Sequence, residues 1–136
     1  MTGQGKLQLS LAILRYSVAA FFAVWVIEKF LHPETTQKIW AAFYLVEDLP
    51  LEASYVIGAL QALLLAGFVL GLFKFWTYGA LMAIHGLSTI STWQRLIDPY
   101  TSGNHLFWAA VPTLGALIVL FILRNEDTLG TLSRRS

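Results

Sequence analysis

The sequence predicts an all-α protein: a transmembrane four-helix bundle with a short amphipathic interfacial helix between helices 1 and 2. Two observations carry this prediction. Of the 136 residues, 57% are hydrophobic and only 12% are charged, whereas an ordinary soluble domain has about 25% charged residues. The apolar residues are also grouped into four long blocks, each close to the ~20 residues that a helix needs to cross a bilayer. We expect one integral membrane domain over residues 1–136.

The four predicted spans cover residues 9–31, 53–73, 75–97 and 105–123. We expect the first block to be a span and not a cleavable signal peptide, because Arg15 interrupts it and no A-x-A-like cleavage site follows. The second and third spans are separated by little more than Lys74, which predicts a tight antiparallel hairpin. In the second span, Gly58, Ala62 and Ala66 have the spacing that lets a neighbouring helix approach closely.

The connection at residues 32–52 is long enough to hold an element of its own. Pro33 suits a first helical turn, and Ile39, Trp40, Phe43 and Tyr44 form an apolar stripe. This pattern predicts a short helix that lies flat in the membrane interface. The alternative is a loop that places the same aromatic residues among the headgroups.

The distribution of Lys and Arg predicts the orientation, because cytoplasmic flanks keep these residues during insertion. With the N-terminus inside, six basic residues lie on the inner side and three on the outer side. The inner residues are Lys6, Arg15, Lys74, Arg124, Arg134 and Arg135, and the outer ones are Lys29, Lys38 and Arg95. We therefore expect a multi-pass protein with both termini in the cytoplasm.

Charge and cysteine content exclude several classes of function. The formal net charge of +1 provides no basic field for nucleic acid. The chain has no cysteine, which rules out disulfide scaffolds, thiolate metal sites and cysteine nucleophiles. The expected partners are membrane lipids together with other subunits of a membrane complex or further copies of this chain.

Polar residues inside the predicted spans are the candidate ligand-binding residues, because lipid makes such groups costly. On the first helix, Trp25, Glu28 and Lys29 share a face with His32. On the third, a polar stripe runs outward from Tyr78. The predicted pocket has His85 and Gln61 at its floor, and its remaining candidates are Ser88, Thr92, Arg95, Glu28, Lys29 and Trp25. No residue is predicted to be catalytic or to bind metal.

Each candidate also has a structural interpretation. Glu28 and Lys29 lie near a membrane boundary, where an ion pair with Arg95 or snorkelling explains them. His85 either ties helices together through Gln61 or a serine, binds a ligand or proton, or ligates a metal. Metal is disfavoured because His32 and His105 are expected about 15 Å away from His85 in depth.

Several runs resemble the DoxX-like family of small bacterial membrane proteins. The first helix carries Leu14-Arg15-Tyr16 and then Glu28-Lys29-Phe30-Leu31, with Pro33 after it. The second match is 58–67 followed by Gly71-Leu72-Phe73-Lys74, and Gly103-Asn104 is a weaker echo. Two departures stand out: Gln61 replaces a glutamate that is frequent in the family, and the glycine near Trp25 is absent.

This resemblance implies a four-helix bundle in the bacterial inner membrane. It also implies a link to membrane redox complexes, since the family includes the membrane subunit of thiosulfate:quinone oxidoreductases and partners of oxidative-stress complexes. Under this reading the chain is a non-catalytic subunit or accessory protein, and the cofactor it would contact is a quinone or a lipid.

Two other functions remain open. The first is a quinone-dependent oxidoreductase of a small anion such as thiosulfate, in which Arg95 and Lys29 hold the anion and His85 passes protons. The second is a small transporter or lipid-binding protein that uses the outward pocket. Four helices are few for transport, because transporter sites usually form between two repeats.

Overall fold

A computed structural model of the chain describes residues 2–132. Within that range the protein is helical and contains no strand. The elements in chain order are α1 (Gly3–Leu31), α2 (Pro33–Phe43), α3 (Leu51–Leu70), α4 (Lys74–Ser91), α5 (Trp93–Leu96), a 3-10 helix (Asn104–Ala109) and α6 (Ala110–Ile122).

The four longer helices α1, α3, α4 and α6 pack in a closed ring, in which α1 contacts α3 and α6, and α4 contacts the same two helices. Neighbours run antiparallel. Ser54 near the start of α3 meets the carbonyl of Lys29 at the end of α1, and Val69 at the other end of α3 meets Arg15. We call the end that holds Thr2 and Leu132 the terminal end and the opposite one the loop end. Leu132 lies at the terminal end because its N–H bonds the carbonyl of Leu70, the last residue of α3.

The first helix begins at Gly3, earlier than the predicted span at residue 9. The Thr2 hydroxyl accepts a hydrogen bond from Gly5 N–H at 3.0 Å and so caps the helix. The first turns of α1 are largely polar, so hydropathy alone does not indicate where the helix begins. The helix predicted after Pro33 is present as α2, with Pro33 in its first turn.

The predicted hairpin between the second and third spans is confirmed as the turn from α3 to α4. Gly71 adopts a φ of 66°, and Leu72 N–H bonds the carbonyl of Gly67 at 2.9 Å, which is the usual glycine ending of a helix. The two helices approach closely beside the turn: a Cβ added to Gly67 would lie 2.9 Å from Thr77 Cγ2.

The third predicted span, 75–97, is not one continuous helix. α4 ends at Ser91, and α5 follows as a separate turn after Thr92. The reason is local: both the N–H and the hydroxyl of Thr92 bond the carbonyl of Thr89, at 3.2 and 2.9 Å. A side chain that takes a backbone acceptor competes with the helical pattern. Thr92 and Arg95 therefore do not continue the stripe of α4.

Three helical segments are long and apolar enough to cross a membrane, namely Gly3–Leu31, Leu51–Leu70 and Asn104–Ile122. The last joins the 3-10 helix to α6, and Pro112 lies in the first turn of α6, where its missing N–H costs little. The buried core includes Phe68, Tyr78, Leu117 and Leu120. Many large apolar side chains point outward, among them Leu63 at 72% and Trp76 at 72% exposure.

Replacing Gly71 by alanine tests how closely the chain packs at the terminal end. The new Cβ would lie 2.6 Å from Thr131 Cβ, in addition to the cost of about 1–2 kcal/mol for a left-handed non-glycine residue. Gly103→Ala is the matched control, because Gly103 also has a positive φ of 78° but no atom near its Cβ position. We expect Gly71→Ala to lower the melting temperature more than Gly103→Ala. Equal losses would contradict the packing.

Candidate functional site

His85 is buried in the middle of the bundle and is used to join helices. Its Nε2 lies 2.9 Å from the carbonyl of Ala110 on α6, and its ring meets the edges of Phe21 and Phe22 on α1. No hydrogen bond within residues 2–132 joins it to Gln61, which is half-buried on α3. His85 therefore joins two helices, as one interpretation of the sequence expected, but its partner is a backbone carbonyl and not Gln61 or a serine.

The remaining candidates on this side of the bundle also have partners within the fold. Ser88 Oγ lies 3.1 Å from the Tyr44 hydroxyl, which connects α4 to the segment after α2. Arg95 Nη1 donates to Asn104 Oδ1 at 3.1 Å. Its guanidinium also lies over the ring of Phe107 at 5.8 Å.

The candidates on α1 do not converge with Arg95. Lys29 Nζ donates to the carbonyl of Trp25 on its own helix at 3.4 Å, and Trp25 is exposed. Glu28 is half-buried. Neither Glu28 nor Lys29 forms an ion pair with Arg95. The ion pairs of the described chain are Arg15–Asp127 and His32–Glu34.

His32 and Glu34 form an exposed pair at the start of α2, with Nδ1 and Oε1 3.2 Å apart. The pKa of the Glu34 carboxyl lies below its ordinary value, first because its own backbone N–H bonds it and then because of His32. Such exposed pairs contribute little stability. In the described part of the chain, no group of three or more His, Asp or Glu residues could hold a metal ion.

The densest polar cluster lies at the terminal end, away from the predicted pocket. Asp127 follows α6 and is fully buried, as are Arg15, Lys74 and Tyr78. Arg15 Nη1 bonds Asp127 Oδ1, and the Tyr78 hydroxyl donates to Asp127 Oδ2 at 2.6 Å. Lys74 Nζ donates to the backbone carbonyl of Asp127 at 2.5 Å. We call these four residues the terminal-end cluster.

Arg15 extends the cluster to the backbone around it. Its Nε donates to the carbonyl of Val69 at 3.1 Å, and its Nη2 donates to the carbonyl of Leu129 at 2.6 Å. One guanidinium thus joins α1, the end of α3 and the chain beyond α6. Buried charges are tolerated only when they are paired and hydrogen-bonded in this way.

Sequence reasoning did not select this cluster. Arg15, Lys74 and Tyr78 enter the sequence analysis for other reasons, and Asp127 does not enter it. The available signal was an arginine inside an apolar block together with two acids, Glu126 and Asp127, just after the last predicted span. An arginine in a span favours a buried partner.

Two open apolar grooves flank α1. The larger, of about 460 Å³, lies between α1 and α3 and is lined by small and branched side chains such as Ala23, Ala62 and Ala66. The smaller, of about 210 Å³, lies between α1 and α6 near Pro112. Neither of these two grooves is lined by a predicted pocket residue.

No protein-family model, curated protein or solved structure matches this chain. The site is therefore interpreted from its own chemistry. That chemistry consists of buried polar groups bonded mainly to backbone carbonyls, apolar grooves open to the outside, and one buried carboxylate shared by several donors.

His85→Leu tests whether His85 binds a ligand or joins helices. The variant loses the hydrogen bond between α4 and α6, which is worth about 0.5–1.5 kcal/mol. We expect a lower melting temperature in detergent and unchanged retention of any co-purified quinone or lipid. His105→Leu is the control, because His105 is exposed. Loss of the bound molecule at unchanged stability would instead support the predicted pocket.

A double-mutant cycle tests the buried ion pair. Arg15→Met leaves Asp127 without its guanidinium partner, and breaking a buried pair costs about 3–5 kcal/mol. We expect Arg15→Met/Asp127→Leu to lose less stability than the sum of the single variants. Lys38→Met, at an exposed cation of α2, controls for the loss of charge. Additive losses would show that the pair is not coupled.

Proposed function

We propose that this chain is a multi-pass integral membrane protein whose α1, α3, α4 and α6 regions cross the bilayer as a four-helix bundle. The exposed surface supports the proposal, because helices that face lipid must present apolar side chains. Val24 on α1, Val56 on α3 and Ile122 on α6 are all more than half exposed. In water, so large an apolar surface would be an aggregation hazard.

The assignment of α4 as a span rests on the direction of its side chains, because its polar residues lower its mean hydropathy. These residues point inward: Tyr78, His85 and Thr89 are buried. Its apolar residues point outward, with Leu87 at 63% and Ile90 at 69% exposure. A helix with polar residues inside and apolar residues outside suits lipid better than water. Its 18 residues reach about 27 Å, close to the ~30 Å hydrocarbon core.

The orientation proposed is the one that the basic residues favour, with the terminal end in the cytoplasm of a bacterial inner membrane. Two of those residues, Arg134 and Arg135, lie outside the described residues. α2 would then lie at the outer interface. It exposes Glu34 and Lys38, while Ile39 and Phe43 are half-buried.

The function we infer is that of a non-catalytic membrane subunit or accessory protein of a quinone-linked redox complex. One observation carries it: the polar side chains available for chemistry already bond to the fold itself. His85 is bonded to Ala110, Arg95 to Asn104, and Ser88 to Tyr44. An anion site of Arg95 and Lys29 is not favoured, because each has a different partner.

The larger groove is the structural feature that supports contact with a quinone or lipid. Its lining residues are apolar, and Ala62 and Ala66 leave room along α3. An acyl or isoprenoid tail has the shape and chemistry to occupy such a groove. The resemblance to DoxX-like proteins points in the same direction.

Single cysteines test the topology in a chain that has none of its own. Ser102 and Asn125 are both exposed, at the loop end and the terminal end. We expect an impermeant maleimide to label Ser102→Cys in intact cells, and to label Asn125→Cys only after permeabilisation. The reverse pattern would contradict the orientation, and labelling of both in intact cells would contradict the bundle.

Purification in a mild detergent, followed by mass spectrometry, tests the function. We expect stoichiometric partner subunits, at least one of which carries a redox cofactor. Ala62→Phe, which fills the larger groove, should reduce bound quinone or lipid. Ala83→Phe, on an exposed part of α4, should not. A chain without partners that turns over a small anion with quinone would overturn the proposal, and so would a homodimer carrying another small molecule.

A further inference from the structure

The terminal-end cluster holds more positive than negative charge. Arg15 and Lys74 are both 0% exposed, yet the cluster contains one carboxylate, that of Asp127. Asp127 bonds Arg15 and Tyr78 through its carboxylate, but it meets the Lys74 ammonium only through its backbone carbonyl. Because unneutralised charge is costly away from water, this cluster favours an anion that carries more charge than the Asp127 carboxylate.

The donors of the cluster come from the helices, and two of them are also held by contacts that do not involve Asp127. Arg15 is fixed by the bond from its Nε to the carbonyl of Val69. Tyr78 packs its ring against Phe68, with centroids 4.8 Å apart, and Lys74 lies in the first turn of α4. A guanidinium, an ammonium and a phenol that all bond one residue have the donor chemistry of an oxyanion site.

The carboxylate comes from a different kind of element. Residues 124–132, which we call the C-terminal strap, follow α6 without regular helix. Asp127 is the one strap residue that is buried, whereas Leu129 and Leu132 are 48% and 71% exposed. The strap also bonds the bundle through the carbonyl of Leu129 and the N–H of Leu132. No strap residue belongs to the hydrophobic core around Leu117 and Leu120, so release of the strap would leave that core packed.

We propose that Arg15, Lys74 and Tyr78 form an oxyanion-binding site at the terminal end, which Asp127 of the C-terminal strap occupies as an internal ligand. The external ligand is a sulfate or phosphate group, either free or as a lipid headgroup. Its binding displaces Asp127 and releases the strap. The strap thereby reports the presence of the anion on one side of the membrane.

Full-length Asp127→Asn in a neutral detergent tests the site with inorganic sulfate as the probe. The variant keeps the shape of the side chain and removes the internal anion. We expect sulfate to raise its melting temperature by at least about 3 °C over chloride at equal ionic strength, since a ligand of the folded state stabilises it. The wild-type chain should respond less, because Asp127 competes.

Two further variants separate binding from general salt effects. Glu126→Gln is the matched control, because Glu126 is the exposed neighbour of Asp127 with the same charge. It should behave like the wild type. Lys74→Gln/Asp127→Asn should lose the sulfate response. If the double variant responds as strongly as Asp127→Asn, or if Asp127→Asn does not respond, the proposal is overturned.

Hydrogen exchange in the wild-type chain gives a test that needs no variant to fold. We expect high sulfate, compared with chloride at equal ionic strength, to speed amide exchange in residues 124–132 and to leave residues 110–122 unchanged. Release of the strap removes the bond of Leu132 N–H to Leu70. Unchanged exchange in the strap, or equal acceleration in both segments, would overturn the displacement.

Nanodiscs distinguish a lipid headgroup from a free anion. In discs that contain phosphatidylglycerol, a headgroup ligand should stabilise Asp127→Asn without added sulfate, compared with discs of phosphatidylcholine alone. If only sulfate stabilises the variant in either disc, the ligand is a free oxyanion. If neither stabilises it, the site does not exist. The Lys74→Gln/Asp127→Asn variant should abolish whichever response is found.

Discussion

The carboxylate of Asp127 is the interaction on which the terminal end of this protein depends. It bonds Arg15 from α1 and Tyr78 from α4, while its own backbone carbonyl accepts from Lys74. Arg15 in turn satisfies the carbonyl of Val69 at the end of α3. A single buried anion therefore holds together three helices and the chain that follows the fourth. Its removal would leave two buried cations without a carboxylate.

In the rest of the bundle, too, polar side chains lie inside and bond to the fold, and many apolar side chains lie outside. At mid-depth His85 bonds the carbonyl of Ala110, and at the loop end Arg95 bonds Asn104. The first bond joins α4 to α6, and the second joins α5 to the start of the 3-10 helix. Polar side chains thus supply the specificity of packing that apolar surfaces lack in lipid. Two apolar grooves beside α1 are open to other molecules.

The helices were largely predictable from sequence, and the candidate site was not. Block length and turn residues indicated α1, α2, α3 and the hairpin at Gly71, because these signals are local. The break at Thr92 was missed because it depends on a hydroxyl that bonds the carbonyl of Thr89. Spacing along one helix places residues on a common face, but it does not identify the partner across the bundle. For that reason His85 was placed beside Gln61, whereas the structure brings it to Ala110.

The sequence by itself predicted a helical membrane protein with four spans, because composition and block length are properties of the chain alone. In the structure, three helical segments are long and apolar enough to span a membrane. The sequence also determined which polar residues would have to be explained. Only the tertiary structure decided how they are satisfied. Arg15 and Asp127 are 112 positions apart, and no local pattern relates them. Their pairing arises because antiparallel packing returns the end of α6 to the first half of α1, where a buried charge requires a partner.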